Sequence, residues 1–127
     1  MIQILTAIAL GSALGGVLRY LVGAAVHVWL LRTFPWGTLT VNVLGCTAIG
    51  IVWIALAARG EGGELARAFV IVGVLGGFTT FSSFSMETML LLEQHGFARA
   101  GAYVLASVVL CLTGAWAGIS IGRQWLA

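Results

Sequence analysis

The chain has 127 residues, of which 61% are hydrophobic and only 8% are charged, and its formal net charge at pH 7 is +2. Soluble globular domains carry about 25% charged residues, so this composition excludes a soluble domain and predicts a membrane protein.

Four uncharged, apolar stretches follow one another along the chain, at residues 1–18, 33–58, 68–86 and 100–122. An α-helix needs about 20 apolar residues to cross about 30 Å of hydrocarbon. Extended to that length, the stretches predict four transmembrane helices at roughly 2–31, 36–58, 67–92 and 99–122. The short connections leave no room for a soluble catalytic or nucleotide-binding domain. The sequence therefore predicts one all-α membrane domain, with no organic cofactor and no nucleic acid partner.

The first span carries an arginine within a series of small residues. Gly11, Gly15, Arg19 and Gly23 recur every four residues, a spacing that is typical of close helix packing in membranes. An isolated arginine in hydrocarbon costs about 2.5–3.5 kcal/mol on insertion scales, so we expect Arg19 to face water or a partner. The segment has no basic N-terminal region, which predicts a true span and not a cleaved signal peptide.

The second span presents one polar stripe. Thr38, Asn42 and Gly45 share a helical face, and the Asn42 amide lies well inside the predicted span. Taken alone, such a stripe is most often a set of hydrogen bonds between helices. It becomes informative together with the polar stripes of the later spans.

The third span contains a run that a membrane helix rarely tolerates, Gly76–Ser85, with the letters GGFTTFSSFS. Glycines weaken the helix just before two threonines, so we expect the helix to break in the middle of the membrane. Non-helical backbone at that depth occurs only where it is buried in protein or lines a cavity. The run therefore predicts an ion or solute path, with Thr80, Phe84 and Glu87 on one face.

On the fourth span Tyr103, Ser107 and Cys111 share a face. The two hydroxyls are strong hydrogen-bond donors, whereas the thiol is a weak one. Cys46 and Cys111 both lie inside hydrophobic segments, where a small apolar filler is a better interpretation than a disulfide or a metal pair.

Neither a catalytic metal centre nor an enzyme is expected. His27 and His95 stand near predicted span ends without other ligands at usable spacing, which favours interfacial placement. The spans contain no Ser–His pair, no paired aspartates and no His-rich arrangement that would support catalysis.

Positive charge is almost evenly divided between the two sides of the predicted bundle. Arg59, Arg67 and Arg123 fall on the side of the N-terminus, and Arg32 and Arg99 on the other. The positive-inside rule therefore sets no clear orientation, and the chain can insert either way. Four short helices are too few to enclose a pore, so we predict an antiparallel, dual-topology homodimer in the lipid bilayer.

Together the stripes would line a narrow track whose neutral donors suit an anion. The donors are the Asn42 amide and the hydroxyls of Thr80, Tyr103 and Ser107. Aromatic rings have a positive edge, so phenylalanines presented edge-on can replace part of the hydration of a small anion. Weak, repeated contacts of this kind favour conduction, but they do not name the anion.

Three motifs, in order, resemble the signatures of the Fluc/CrcB family of bacterial fluoride channels, small four-span proteins that export cytoplasmic fluoride. They are Gly15–Tyr20, Gly37–Gly45 and Gly76–Ser85. The resemblance implies passive fluoride export and fluoride resistance, through the bacterial cytoplasmic (inner) membrane. It also implies an antiparallel dimer with two pathways, each built from both subunits.

The resemblance further implies roles for single residues. Phe81 and Phe84 match the ring-edge fluoride contacts, and Asn42 matches the pore-lining amide. Other positions on or beside the hydroxyl track of the family are Ser82, Ser83 and Ser107.

Four more positions match the family by charge or by backbone. Gly76 and Thr79 match the residues whose carbonyls, from both subunits, hold a central structural sodium ion. A broken helix exposes carbonyl oxygens that a hard cation can satisfy together. Arg19 and Glu87 also match family positions, and we expect Arg19 to draw fluoride into an aqueous vestibule.

Two positions depart from the family pattern. Ser83 stands where threonine is common, and Cys111 where a hydroxyl residue often extends the track. Ser83 keeps a donor, whereas Cys111 supplies only a weak one, so we expect an effect on rate and not on selectivity.

Two alternative hypotheses remain. A small dual-topology, proton-coupled multidrug exporter needs a membrane carboxylate, usually early in the chain, and Glu87 is the sole candidate here. A structural membrane subunit would use the polar stripes only to hold helices together.

Overall fold

The computed structural model describes residues 1–30, 33–57 and 63–126, and within them every regular element is a helix. Four helices are long and apolar enough to cross a membrane: Ile2–Trp29, Trp36–Ala57, Glu64–His95 and Phe97–Trp125. The predicted all-helical architecture with four spans is therefore confirmed. The predicted span ends at 31 and 58, like Arg32 and Arg59, lie outside the described residues.

Three of the spans are continuous helices, and the third is built of several pieces. The continuous helices are α1 (Ile2–Trp29), α2 (Trp36–Ala57) and α6 (Phe97–Leu126). The pieces of the third span are α3 (Glu64–Arg67), a π-helical segment (Ala68–Leu75), α4 (Gly76–Phe78) and α5 (Phe81–His95).

The backbone between α4 and α5 is extended. Thr79 has φ −78° and ψ 158°, and Thr80 has φ −151° and ψ 121°. At the other end of α5, Gly96 has φ 81°, a value that glycine adopts without the steric penalty of a side chain. Gly96 thus permits the sharp turn that leads into α6.

The helices pack as two close pairs, and glycines, which have no side chain, lie at the contacts. In the first pair, Gly11 and Gly15 of α1 lie against the backbone of Phe69 and Val74 in the π-helical segment. In the second pair, α2 lies against α6, and Gly50 touches the backbone around Gly118. Small residues let helix backbones approach closely. Such van der Waals packing is a main source of helix association in membranes, because lipid is as apolar as the side chains and the hydrophobic effect does not drive helices together.

The contacts of the second pair advance in the same direction along both helices. Thr47 meets Gly114, and Ile54, two turns later, meets Gly122. The two helices are therefore parallel, as expected for the second and fourth spans, which have one span between them.

A small apolar core joins α2, α5 and α6. Its buried members are Leu39, Leu91, Ala100 and Tyr103, and the Tyr103 side chain is fully buried. Phe34, Val43 and Phe84 pack against this cluster from its edges. The core holds the start of α6 against the third span, next to the extended residues.

A methyl group at Gly118 is expected to destabilise the protein. The added Cβ would fall on the Thr47 carbonyl oxygen and 3.2 Å from Gly50 Cα, both of them backbone atoms that cannot rotate away. Overpacking of this kind costs about 1–3 kcal/mol, so Gly118→Ala should lower the unfolding temperature measured in detergent.

Gly101→Ala is the matched control, because it lies in the same helix with no atom within 4 Å of its added Cβ. It should be neutral, or stabilising by up to about 1 kcal/mol through helix propensity. Equal effects of the two substitutions would show that the α2–α6 contact does not depend on the missing side chain.

Candidate functional site

An open groove of about 370 Å³ lies between α2, the third span and α6. Most of the residues predicted to form an ion path line it: Asn42, Thr80, Phe81, Phe84 and Ser107. The two positions predicted to offer backbone carbonyls, Gly76 and Thr79, line it as well. The remaining wall is apolar apart from two thiols, and the described residues around the groove carry no charge.

Asn42 holds the extended backbone in place from across the helix interface. Its Nδ2 donates to the Thr80 carbonyl at 2.9 Å, and its Oδ1 accepts from the Thr80 amide at 2.8 Å. The Thr80 amide thereby has an acceptor although it precedes the first turn of α5. The Thr80 carbonyl, which as the N-cap carbonyl accepts the first hydrogen bond of α5, gains a second donor. The side-chain amide carries a second hydrogen, which remains for the groove.

Thr80 also organises the first turn of α5 through its hydroxyl. Its Oγ1 accepts from the Ser83 amide at 3.2 Å, an N-cap arrangement, and lies 3.1 Å from Ser83 Oγ. Ser82 Oγ is 3.3 Å from the same oxygen. The three hydroxyls therefore form one cluster at the start of α5.

The hydrogen bonds of Thr80 and Ser83 leave two carbonyls without their helical donors. In an unbroken α-helix the Thr80 amide would donate to Gly76, and the Ser83 amide to Thr79. These amides donate instead to Asn42 Oδ1 and to Thr80 Oγ1. The carbonyls of Gly76 and Thr79 are hard oxygen donors that suit a hard cation, but such cations take more than two ligands.

The aromatic side chains form a continuous chain from the groove into the core. Phe81 and Phe84 have ring centroids 5.3 Å apart and planes tilted by 46°. Phe84 in turn lies 5.3 Å from Tyr103, also tilted, at 47°. The Phe81 ring is 78% exposed in the single chain, so its face and edge are open to the groove and beyond it.

Ser107, which was predicted to lie on the path, is a buried polar group in the groove wall. Its side chain is 7% exposed, and its Oγ has no hydrogen-bond partner among the described residues. Burying a hydroxyl without a partner is unfavourable by about 1–3 kcal/mol on the scale of protein mutational data. A hydroxyl left in this state beside a cavity indicates a missing ligand for its hydrogen.

A second cavity, of about 320 Å³, lies on the other side of the extended residues and contains the charge of Arg19. We call it the vestibule; among its lining residues are Arg19, His27, Thr38, Thr80 and Ser83. Arg19 Nη1 donates to the Thr79 carbonyl at 3.5 Å. Thr80 lines both cavities, so it stands at the boundary between the vestibule and the groove.

Glu87 lies outside the groove and the vestibule, within a hydrogen-bonded cluster. Its Oε1 accepts from Thr38 Oγ1 at 2.7 Å and its Oε2 from the Tyr103 hydroxyl at 2.7 Å. Each carboxylate oxygen therefore has a donor, and the side chain ties α2, α5 and α6 together. Tyr103 is directed at Glu87 and is not among the groove-lining residues.

Several residues at these cavities were not selected as site residues from the sequence. Thr38 had been placed on the stripe of Asn42, but its bond to Glu87 depends on the packing of two helices. His27 follows Arg19 by eight residues on the same face, a spacing that would have placed it near the vestibule. Cys46 and Cys111 both line the groove. The sequence indicated a space-filling role for both and, for Cys111, also a position at which the family often extends the hydroxyl track.

Comparisons with known proteins agree over nearly the whole chain. The family model described as CrcB-like protein, Camphor Resistance (CrcB), matches residues 6–119. A protein of Nitrobacter winogradskyi is 49% identical over 117 residues, covering 92% of this chain and 93% of the relative. One of Geobacter sulfurreducens is 49% identical over 118 residues (93% and 95%), and one of Magnetococcus marinus 44% over 116 (91% and 94%). Each relative is named fluoride-specific ion channel FluC.

Proposed function

The chain belongs to the CrcB family, and from that premise we propose that it is a fluoride-selective ion channel that exports cytoplasmic fluoride passively. The observation that carries the proposal is the buried, unpartnered hydroxyl of Ser107 in a groove that two phenylalanine rings also line. A small anion placed there would accept the hydroxyl hydrogen and meet ring hydrogens. The names of the relatives favour fluoride over other anions.

The groove is suited to conduction because its anion contacts are neutral. The Ser107 hydroxyl, the free hydrogen of the Asn42 amide and the edges of Phe81 and Phe84 can each replace part of a hydration shell. A fixed positive charge inside the groove would hold the anion more tightly. Contacts that are favourable but weak let an ion enter and also leave.

The vestibule supplies the attraction that the groove lacks. Arg19 is part-buried at its wall, where water is displaced and its charge is less screened than at an open surface. An anion concentrated there would pass the hydroxyl cluster of Thr80 and Ser83 on its way to the groove. We assign this guiding role to Arg19, whereas Glu87 holds the wall of the path in place.

A second copy of the chain is needed to close the path. The groove is open on the single chain, and lipid in it would leave the Ser107 hydroxyl and the second amide hydrogen of Asn42 without an acceptor. The balanced arginines of the sequence permit opposite insertion of two copies. We infer an antiparallel, dual-topology homodimer with two pathways, each lined by both subunits.

The interruption at Thr79 and Thr80 is assigned a structural role at the centre of this dimer. We place it at mid-membrane in the third span, where the carbonyls of Gly76 and Thr79 have lost their helical donors. Two such carbonyls from each subunit would together present four hard oxygens to one sodium ion on the two-fold axis. Arg19 reaches the same Thr79 carbonyl, so it would assist in balancing the exposed oxygens.

Export through such a channel requires no energy source beyond the membrane potential. We place the protein in the bacterial cytoplasmic membrane, where hydrogen fluoride enters from acidic surroundings and dissociates inside. The negative interior then drives fluoride out through an open, selective path. A channel of this kind confers fluoride resistance without catalysing any reaction.

Fluoride efflux from liposomes tests the proposal directly. Purified protein is reconstituted with potassium fluoride or potassium chloride inside, and flux is started with a potassium ionophore. Fluoride release with no chloride release, read by ion-selective electrodes, is the expected result. No release of either ion from liposomes that contain folded protein would favour a structural membrane subunit instead.

The exporter alternative is tested at Glu87. The wild-type fluoride flux should be the same with and without an imposed proton gradient at fixed voltage. Glu87→Gln replaces one of the two carboxylate oxygens that accept from Thr38 and Tyr103. The change should cost about 1.5–3 kcal/mol, because hydrogen bonds to charged groups are the stronger ones, and the residual flux should also be independent of the proton gradient. Glu93→Gln, an exposed position on the same helix, is the control. Transport that needs the proton gradient and vanishes in Glu87→Gln would point to a coupled exporter.

A further inference from the structure

The only two cysteines of the chain meet in the wall of the groove. Cys46 lies on α2 and Cys111 on α6, 65 positions apart in sequence, and each is partly exposed. The two thiols are neighbours across the contact between α2 and α6. Both side chains line the groove.

The packing of α2 on α6 accounts for this meeting. The two helices are parallel, and Thr47, the neighbour of Cys46, touches Gly114, which lies three residues after Cys111. Glycine at that contact brings the helix axes close enough for two short thiol side chains to meet. The thiol pair is therefore set by backbone packing and does not depend on long, flexible side chains.

The pair lies close to the groups assigned to fluoride. Cys46 follows Asn42 by four residues, and Cys111 follows Ser107 by four, so each thiol is one helical turn from an anion contact. One turn is a rise of about 5–6 Å. An ion held by the thiols would thus occupy the same groove, next to the path.

We propose that Cys46 and Cys111 form a binding site for a soft, two-coordinate metal ion such as mercury(II), silver(I) or copper(I), and that occupancy of this site stops conduction. With mercury(II), both S–H bonds break and two S–Hg bonds form, giving a neutral S–Hg–S bridge and two protons released to solvent. No electron is transferred, so no oxidant or reductant is needed. The binding does not rest on the proposed function, whereas the loss of flux does.

The ligand set selects against other metals. Thiolate sulfur prefers soft ions, and hard cations such as sodium or calcium prefer oxygen. Structural zinc takes four ligands in tetrahedral geometry, and two thiols with one neighbouring hydroxyl do not supply them. Two-coordinate soft ions are satisfied by the two sulfurs alone.

Binding is tested on the purified dimer with mercuric ion as the probe, in parallel with the single variants Cys46→Ser and Cys111→Ser. The wild-type chain should bind about one mercuric ion at its pair of thiolate ligands, with a thiolate-to-mercury charge-transfer absorption. Each single variant should bind the mercuric ion more weakly, through one S–Hg bond. Equal affinity in the wild type and in either single variant would overturn the paired site.

Flux is tested on the same proteins in liposomes, and each is compared with its own flux before addition of mercury. Wild-type fluoride efflux should be lost on mercury addition and restored by a dithiol chelator, while the single variants keep their efflux. Methylmercury forms one S–Hg bond and cannot bridge two sulfurs. Comparing its effect on fluoride efflux with that of the mercuric ion distinguishes closure of the groove by a bridge from blocking by modification of one thiol. Loss of flux in the single variants, or tight binding that leaves wild-type flux unchanged, overturns the proposal. Absence of fluoride flux before any mercury is a failure of the proposed function alone.

Discussion

Phe81→Ile is expected to abolish fluoride flux and to leave the dimer assembled. The substitution keeps an apolar side chain but removes the aromatic edge that can face an anion. The Phe81 ring is 78% exposed in the single chain, so little packing within the chain is lost. The loss should therefore appear in the liposome efflux and not in the oligomeric state measured in detergent.

Phe97→Ile is the matched control for this prediction. Phe97 is 84% exposed at the first position of α6, and it is not among the residues that line the groove. Its replacement should leave the efflux near the wild-type rate. Normal flux in Phe81→Ile, with the dimer intact, would remove Phe81 from the proposed path and with it the central residue assignment.

Asn42→Ala is expected to reduce both the stability of the fold and the fluoride flux. The Asn42 side-chain amide bonds to both backbone groups of Thr80, which is 8% exposed and whose own amide has no helical acceptor. Leaving the buried Thr80 amide unpaired costs about 1–3 kcal/mol, and losing the second bond adds about 0.5–1.5 kcal/mol. The free energy of unfolding in mixed micelles measures this loss, and the efflux assay measures its effect on the path.

Asn42→Asp divides the effect between the two bonds of the amide. An ionised carboxylate still accepts from the Thr80 amide, but its other oxygen faces the Thr80 carbonyl with no hydrogen to donate, so the second bond is replaced by repulsion between two oxygens. Asn42→Asp should therefore be less stable than the wild type even though the bond to the Thr80 amide is kept. Ser120→Ala is the control, because among the described residues the Ser120 hydroxyl bonds to the Trp116 carbonyl of its own helix, at 2.9 Å. If Asn42→Ala is as stable as Ser120→Ala, Asn42 does not hold the extended backbone.

Much of the architecture could be predicted from the sequence because lipid imposes simple rules. Apolar stretches near 20 residues predict four helices, since a spanning segment must satisfy its own backbone. The glycine series of the first span predicted close packing, and Gly11 and Gly15 do lie against neighbouring backbone. These features depend on composition and on helical period, both of which can be counted along the chain.

Most residues of the stripes on the second, third and fourth spans line the groove, but the stripes do not show what each residue contacts. Asn42 lies on its predicted face, and only the helix packing shows that its amide bonds to the backbone of Thr80. Tyr103 shares a face with Ser107, yet it points at Glu87. A stripe defines a direction around one helix, whereas a contact also requires the rotation and register of the neighbouring helix.

The sequence by itself determined the four spans, their small-residue contacts and the set of polar positions that could line a path. Those properties follow from the length, hydropathy and 3.6-residue period of single helices. Only the tertiary structure decided that Asn42 holds Thr80, that Glu87 is shared by Thr38 and Tyr103, and that Cys46 meets Cys111. The reason is physical: each of these contacts joins side chains from different helices, and their distance is set by how the helices pack, not by their spacing along the chain.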